Sequence, residues 1–368
     1  MKIIHVILGK ANPNKMNGVN KVVNSLALAQ TELGNDVKVW GITKNPIHNY
    51  PDRPYSTRLF KDLEKFSLPE GFEDAVLEED LTTIFHIHGG FIPQFYSISV
   101  LLSDCDLNYI YTPHGSFNTI AMKRSWFKKR IYFYLYERKI IQHAKSIHFV
   151  GESEISGTNK LIKLKNHCLI PNGETVGDSS IELAVEHQKN PVFGFCGRLD
   201  IHTKGLDILL NGFSDYLNNH EGKGILWIIG DGGDKKELLE LTKTLNLQSK
   251  VKYLGAQYGA QKLELFRKLD CFVLTSRNEG LPGVVLECAA LGVPSIVSES
   301  TNVNKIKDYN AGLVLNTNTP HCLSDAFNTA STWLKEGVLI EKKKAAQEMI
   351  RNEYDWLVIA QKKLMACV

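Results

Sequence analysis

The segment from Asp270 to Glu299, DCFVLTSRNEGLPGVVLECAALGVPSIVSE, restricts the fold more than any other stretch of the 368-residue chain. Cys271 to Leu274 is a short apolar run of strand length, rich in β-formers. A polar turn from Thr275 to Asn278 follows, then Glu279-Gly280-Leu281-Pro282-Gly283. From Val284 onward, Val285, Leu286, Ala289 and Ala290 recur at helical spacing, and Gly292 is placed as a C-terminal stop. Pro294 to Val297 reads as the next buried strand. A strand, a glycine-containing loop, a helix and a strand make one turn of a parallel α/β sheet, and such sheets bind ligands outside the carboxyl ends of their strands. The loop offers free backbone N–H groups and a positive helix end to an anion. Two carboxylates frame it, Glu279 in the loop and Glu287 about two helical turns further on. Glutamates beside a phosphate site make sense if they take the hydroxyls of a ribose or a hexose while the amides take the phosphate. A ligand of that description would be a nucleotide sugar.

Glu279 and Glu287, with seven residues between them and followed by Ala290-Leu291-Gly292-Val293-Pro294, resemble the signature of the retaining glycosyltransferases of family 4. Gly197-Arg198-Leu199 followed by Lys204-Gly205 is a second match to that family. The resemblance implies the GT-B fold: α/β, with two Rossmann-like domains facing each other across a cleft and a C-terminal helix crossing back to the first. The implied boundaries are 1–171 with 355–368 for an acceptor-binding domain, and 172–354 for a nucleotide-sugar-binding domain. The implied reaction moves a hexosyl unit from a nucleoside-diphosphate sugar to a saccharide or lipid-linked acceptor hydroxyl, with retention, in surface polysaccharide or glycolipid synthesis. Rival readings are a GT-B epimerase or phosphorylase, and a non-catalytic nucleotide-sugar binder.

The residues assigned to this chemistry come from several loops. Arg198 and Lys204 are side-chain cations for the diphosphate, supplementing the amides of Gly280, Leu281, Pro282 and Gly283 as a helix-entry loop. Proline itself has no N–H to give. Two cations and a helix end serve the leaving group, so no metal or other cofactor is expected. Glu287, inside the helix, is assigned to the ribose; Glu279, before it, to the reacting sugar. Gly255 ends a strand that, by the resemblance, lies near the base. In the first half, Gly9 to Asn17 is a loop between a strand at Lys2 to Leu8 and a helix. The family's paired glycines here become Asn17-Gly18, either a phosphate contact or an ordinary βα turn. His114, in Pro113-His114-Gly115 after another strand, matches a histidine that the family places next to the reacting sugar.

His86 and His88 share one face of a strand, which raises a metal reading. No carboxylate or cysteine accompanies them at a convincing spacing, and a pair lining the cleft, with His88 close to His114, is the preferred reading. Asp104-Cys105-Asp106 spells a metal-binding D-x-D but sits at a helix end without support. Residues 121–144 are basic and aromatic. They read either as a helix lying on an anionic membrane or as a long core helix with a solvated face. Residues 46–80 give little beyond a short helix.

With 43 basic and 40 acidic residues, net charge +3, bulk electrostatics do not indicate nucleic-acid binding. Seven cysteines without a C-x-x-C pair, mostly inside apolar runs, read as reduced core residues. No leader pattern and no membrane-length apolar run is present, so the expected location is the cytoplasm, at the inner face of the membrane if 121–144 docks there.

Overall fold

The computed structural model describes residues 1–12, 18–48, 52–123, 125–176 and 190–366. The chain divides into two units, Met1–Gly173 with Trp356–Val368, and Glu174–Asp355. The first carries strands β1 (Lys2–Leu8), β2 (Asp36–Thr43), β3 (Ser56–Lys61), β4 (Ile84–His88), β5 (Tyr109–Thr112), β6 (Ser146–Phe149) and β7 (His167–Leu169). They form one sheet in the order β3-β2-β1-β4-β5-β6-β7, and every pairing is parallel. The second carries β8 (Val192–Cys196), β9 (Ile225–Ile229), β10 (Val251–Gly255), β11 (Cys271–Leu274), β12 (Ser295–Ser298) and β13 (Gly312–Leu315), ordered β10-β9-β8-β11-β12-β13. These pairings are parallel too. Parallel strands must be joined by crossovers, and the crossover helices bury both sheet faces. That is why β11 and β12 read as continuous apolar or small-residue runs and are buried at every position.

β1 departs from that pattern. His5 sits in the middle of KIIHVIL with no exposed surface. Its register partner on β4 is His86, and Ile7 is opposite His88. Side chains of partnered residues in a parallel pair share a sheet face, so His5, His86 and His88 fall on one side.

The last helix, Trp356–Met365, packs within the first unit against the helix Gly18–Glu32. Leu26, Ala29, Ile170, Trp356, Ile359 and Ala360 form the buried seam. Trp356 lies over the backbone of Gly173, where a Cβ would come within 2.6 Å of its ring. The terminal segment therefore supplies core to the first unit.

Two stretches differ from the sequence reading. Residues 46–80 contain an edge strand, β3, as well as the short helix Phe72–Leu77. An edge strand is half exposed, so its burial alternates with charge and carries no continuous apolar run. The single helix expected over 121–144 is broken into Thr119–Lys123, Trp126–Tyr132, a π-helical turn Phe133–Glu137 and Arg138–His143. The cause lies in Glu137, whose buried carboxylate accepts the Phe91 N–H at 2.5 Å and the Tyr111 hydroxyl at 2.6 Å. Turning that side chain inward needs the wider turn.

Ile359→Ala should cost about 2–5 kcal/mol, because the residue is fully buried in the terminal seam. Urea unfolding followed by tryptophan fluorescence checks this. An unchanged midpoint would mean that the last helix adds nothing to the first unit.

Candidate active site

β8 and β11 are neighbours in the sheet although β9 and β10 separate them in sequence. Successive strands run outward from β8 on one side and from β11 on the other, so the two loops leave a crevice at their carboxyl ends. The loop after β8 is tied down by its backbone. The Gly197 N–H donates to Ile229 O at 3.0 Å, and the Leu199 N–H to Asp231 O at 3.0 Å. Asp200 then caps the short turn Ile201–Lys204, accepting the Thr203 N–H at 2.9 Å. Gly205 ends it with φ +64°, and a Cβ there would lie 2.0 Å from Thr275 O. Only glycine allows the two loops to touch at this point.

That contact brings Lys204 to the loop after β11. Its ammonium meets the Glu279 carboxylate at 2.5 Å, and the Ser276 hydroxyl donates to the same carboxylate oxygen at 2.8 Å. Glu279 is fixed through its backbone as well, its N–H on Ser300 O at 3.0 Å and its carbonyl on Asn302 Nδ2 at 2.8 Å. Glu287, on the helix Gly283–Ala290, pairs with Lys262 at 2.5 Å. Lys262 comes from the helix Gly259–Arg267 that follows β10. The Cys196 thiol at the end of β8 shows how closely these charges gather. Burial pushes it up to about 11, Lys262 and Lys204 draw it down, and Glu287 raises it.

The remaining assigned residues take distinct places. Arg198 is on the β8 loop but two-thirds exposed, paired with Asp200 at 3.2 Å rather than with either glutamate. Gly255 ends β10 at φ +69°, its carbonyl accepting the Gly230 N–H at 2.8 Å. Leu281 packs against the second core, and Pro282 begins the helix with φ −75°. Gly280 and Gly283 have no positive φ, and a Cβ at either would meet nothing within 4 Å. Neither is needed as glycine by the protein's own packing, which leaves open room for a ligand beside the helix end. Gly18 opens the helix Gly18–Glu32 with the same open space, while Asn17 lies outside the described residues.

Sequence reasoning missed Lys262, because its partner lies 25 positions away on another crossover. It also missed Arg277, which grips Asp207 with two nitrogens at 2.9 and 2.7 Å and the His202 carbonyl at 2.8 Å. Burial acts to raise the Asp207 carboxyl, and the guanidinium more than offsets it, holding it below its ordinary value.

In the first unit, His88 Nδ1 and His114 Nε2 are 2.9 Å apart, so the two do meet. His5, His86 and His88 also bring ring nitrogens within 4.8 Å of one another, so His5 adds a third histidine to the metal reading. The chemistry of the set is against it. His5 Nδ1 bonds His88 Nε2 at 2.9 Å, His86 Nε2 bonds Thr112 Oγ1 at 2.7 Å, and the buried Lys363 ammonium acts electrostatically on all three. A dication there would face a cation with no carboxylate among the clustered groups. Asp104 ends the helix Pro93–Asp104 and Asp106 takes φ +57°, the geometry of a helix end.

Residues 181–356 match the family model described as glycosyl transferases group 1. The chain is 25% identical over 253 residues to the putative glycosyltransferase EpsF of Bacillus subtilis, covering 66% of this chain and 63% of that protein. It is 30% identical over 100 residues to the lipopolysaccharide core biosynthesis glycosyltransferase LpsD of Rhizobium meliloti, 27% of each chain. The chain thus spans less than two thirds of the length of these curated relatives. Among solved structures, HepE from Anabaena in complex with UDP superposes with a TM-score of 0.70 at 15% identity, covering 99% of both chains. The fold is therefore GT-B, with two Rossmann-like domains of seven and six parallel strands. The family match covers just under half of the chain, and the solved structure shares its fold.

The buried titratable groups set how stability depends on pH. Burial is the largest effect on His5, pushing it from 6.5 to about 4, and burial with the Lys363 charge takes His114 to about 3. Histidines depressed on folding contribute stability above pH 6.5 that is lost as pH falls through that window. Glu137 and Glu154, raised by burial from 4.5 to about 7, act oppositely and lose stability as pH rises through 7. Urea titrations should give a decline in stability from pH 6.5 towards 4, and Glu137→Gln should steepen it, because the raised carboxyl opposes the histidines between pH 4.5 and about 7. Constant stability from pH 7 to 4 would contradict the neutral, buried imidazoles.

Proposed function

We propose that the protein transfers a hexosyl unit from a nucleoside-diphosphate sugar to an acceptor hydroxyl with retention of configuration, in the synthesis of a surface polysaccharide or glycolipid. The observation that carries this reading is the convergence of Lys204, Glu279, Lys262 and Glu287 at the β8/β11 crevice, beside a helix end with two glycines facing open space. Each ammonium has three N–H donors, so a lysine held by one carboxylate keeps others for phosphate oxygens. A charge-assisted bond of this kind contributes roughly 1.5–3 kcal/mol. As the C1–O bond to the diphosphate breaks, negative charge gathers on the leaving oxygen, and preorganised cations and amides stabilise it. The same oxygen takes the acceptor hydroxyl's proton as the new C1–O bond forms on that face. Arg198, free to swing from Asp200 at the exposed loop, adds a third cation. His114 is the first unit's contact for the transferred sugar or the acceptor. The UDP bound to HepE supports a nucleotide donor, and the names of EpsF and LpsD support the glycosyltransferase and polysaccharide parts of the reading.

With purified protein, a thermal-shift screen of UDP, GDP, ADP and TDP sugars identifies the donor, since ligand at 100 times its Kd adds about 2.7 kcal/mol. Against that donor, Glu279→Gln should lower kcat, while Glu287→Gln should mainly raise the donor KM, because a ribose contact is equal in ground and transition states. Lys204→Ala and Lys262→Ala should each weaken donor binding. Chelator should leave transfer intact. Wild-type kinetics in all four variants would refute the reading, as would an epimerised nucleotide sugar formed without acceptor.

We also propose that 121–144 docks on anionic membrane. Trp126, Phe127, Ile131, Tyr134 and Leu135 are 44–61% exposed around one apolar recess that also includes Arg130. Lys128 is exposed beside them, whereas Lys129 is committed to the Ala121 carbonyl and the Phe91 ring. Arg124 lies outside the described residues. Among the described residues no helix is long and apolar enough to cross a membrane. Sedimentation with phosphatidylglycerol vesicles should fall with salt and with Trp126→Ser and Phe127→Ser. Equal binding to neutral vesicles would remove the electrostatic part.

A further inference from the structure

The face of the first sheet that carries His5, His86 and His88 holds a continuous line of polar groups. Gln30, buried on the helix Gly18–Glu32, places Oε1 2.7 Å from His5 Nε2. His5 Nδ1 is 2.9 Å from His88 Nε2, and His88 Nδ1 is 2.9 Å from His114 Nε2. Three imidazoles thus link an amide in the core to the loop after β5. The interior members are buried, and only His114, at φ +51°, is partly exposed.

The proton order along such a line follows from the first acceptor. The Gln30 carbonyl oxygen has no proton, so His5 Nε2 must carry one. A neutral ring then has a bare Nδ1, which can only accept, so His88 Nε2 carries the next proton. The same step leaves His88 Nδ1 bare and puts a proton on His114 Nε2. His114 Nδ1 is the remaining lone pair. Neutrality follows from the surroundings: the flanking rings of His86 and His148 are themselves held neutral by burial and supply no anion, and the Lys363 charge, from the terminal helix, opposes protonation along the line. Burial acts in the same direction.

We propose that Gln30, His5 and His88 are positioning residues, an ordered imidazole chain that locks His114 as its Nε2–H tautomer and presents Nδ1 as a hydrogen-bond acceptor. For a sugar hydroxyl this matters, because an acceptor takes its proton and a donor would compete for its lone pair. The tautomeric lock stands on the first unit alone; its use in transfer rests on the proposed function. It also accounts for polar residues inside a strand that otherwise reads as continuous core. Each ring satisfies its neighbour, and a chain of such bonds is costly to interrupt.

Two-bond 1H–15N correlation spectra of histidine-labelled protein read the tautomers directly. His5, His88 and His114 should all appear neutral and Nε2-protonated at pH 7. Gln30→Met, which removes the acceptor at similar volume, should move His114 to a mixture of tautomers and lower kcat at unchanged donor KM. Gln30→Glu, which keeps an acceptor, should restore the Nε2–H pattern. An Nδ1–H tautomer of His114 in the wild type would overturn the chain, even if the Gln30→Met protein does not fold. So would an unchanged His114 signal in folded Gln30→Met, or stoichiometric Zn²⁺ uptake that shifts His5, His86 and His88 together. A tautomer shift with unchanged transfer would confirm the lock and refute only the role of His114 in the reaction.

Discussion

A parallel strand is reached from its neighbour only by a crossover, and successive crossovers of one hand keep moving the chain in one direction across the sheet. Each sheet here reverses that direction once, between β1 and β4 in the first unit and between β8 and β11 in the second. At a reversal, two adjacent strands end with loops that leave to opposite faces, and nothing of the sheet closes over them. Two polar centres lie at these points. Lys204 and Glu279 rise from the loops beyond β8 and β11, joined by Glu287 on the helix that follows β11 and Lys262 on the helix after β10, and the imidazole chain begins on β1 and β4. Topology alone brings together residues as distant as Lys204 and Glu279, or His5 and His88.

The two centres solve opposite electrostatic problems. In the second unit the charges are 16–21% exposed and mutually paired, so each lysine is held in place by a partner and still escapes the full desolvation cost of a buried lone ion. On the proposed function, a diphosphate entering there would meet cations whose side-chain freedom is already spent. In the first unit the groups are buried and kept neutral, because desolvation and Lys363 both act against an imidazolium. One site is built to receive charge; the other is built to exclude it while keeping hydrogen-bond direction.

What could be read from sequence divides along local and non-local lines. The run from Cys271 to Leu274 and the helix beginning at Gly283 were legible because strand, loop and helix follow one another without interruption. The meeting of His88 with His114 was also legible, as it needs only adjacent parallel strands. Lys262 was hidden, since nothing near it in sequence marks it and its partner sits on a different crossover. His5 looked like one polar residue in a strand until the β1–β4 register placed His86 opposite it. The break of the helix at Phe133–Glu137 depends on a carboxylate turning inward towards Phe91, a contact 46 positions away. β3 escaped because an edge strand carries no signature of burial. For Gly280 and Gly283 sequence predicted the position of the loop, and the structure adds that no internal contact requires glycine there.

On the proposed function, the β8/β11 crevice receives the diphosphate. Amide hydrogen exchange with and without a bound nucleoside diphosphate reads it residue by residue. Slowed exchange should appear at residues 280–285, where a helix end faces open space, and at residues 197–205 on the opposing loop. Saturating nucleotide that leaves both segments unchanged, or protects amides elsewhere in the second unit, would contradict it.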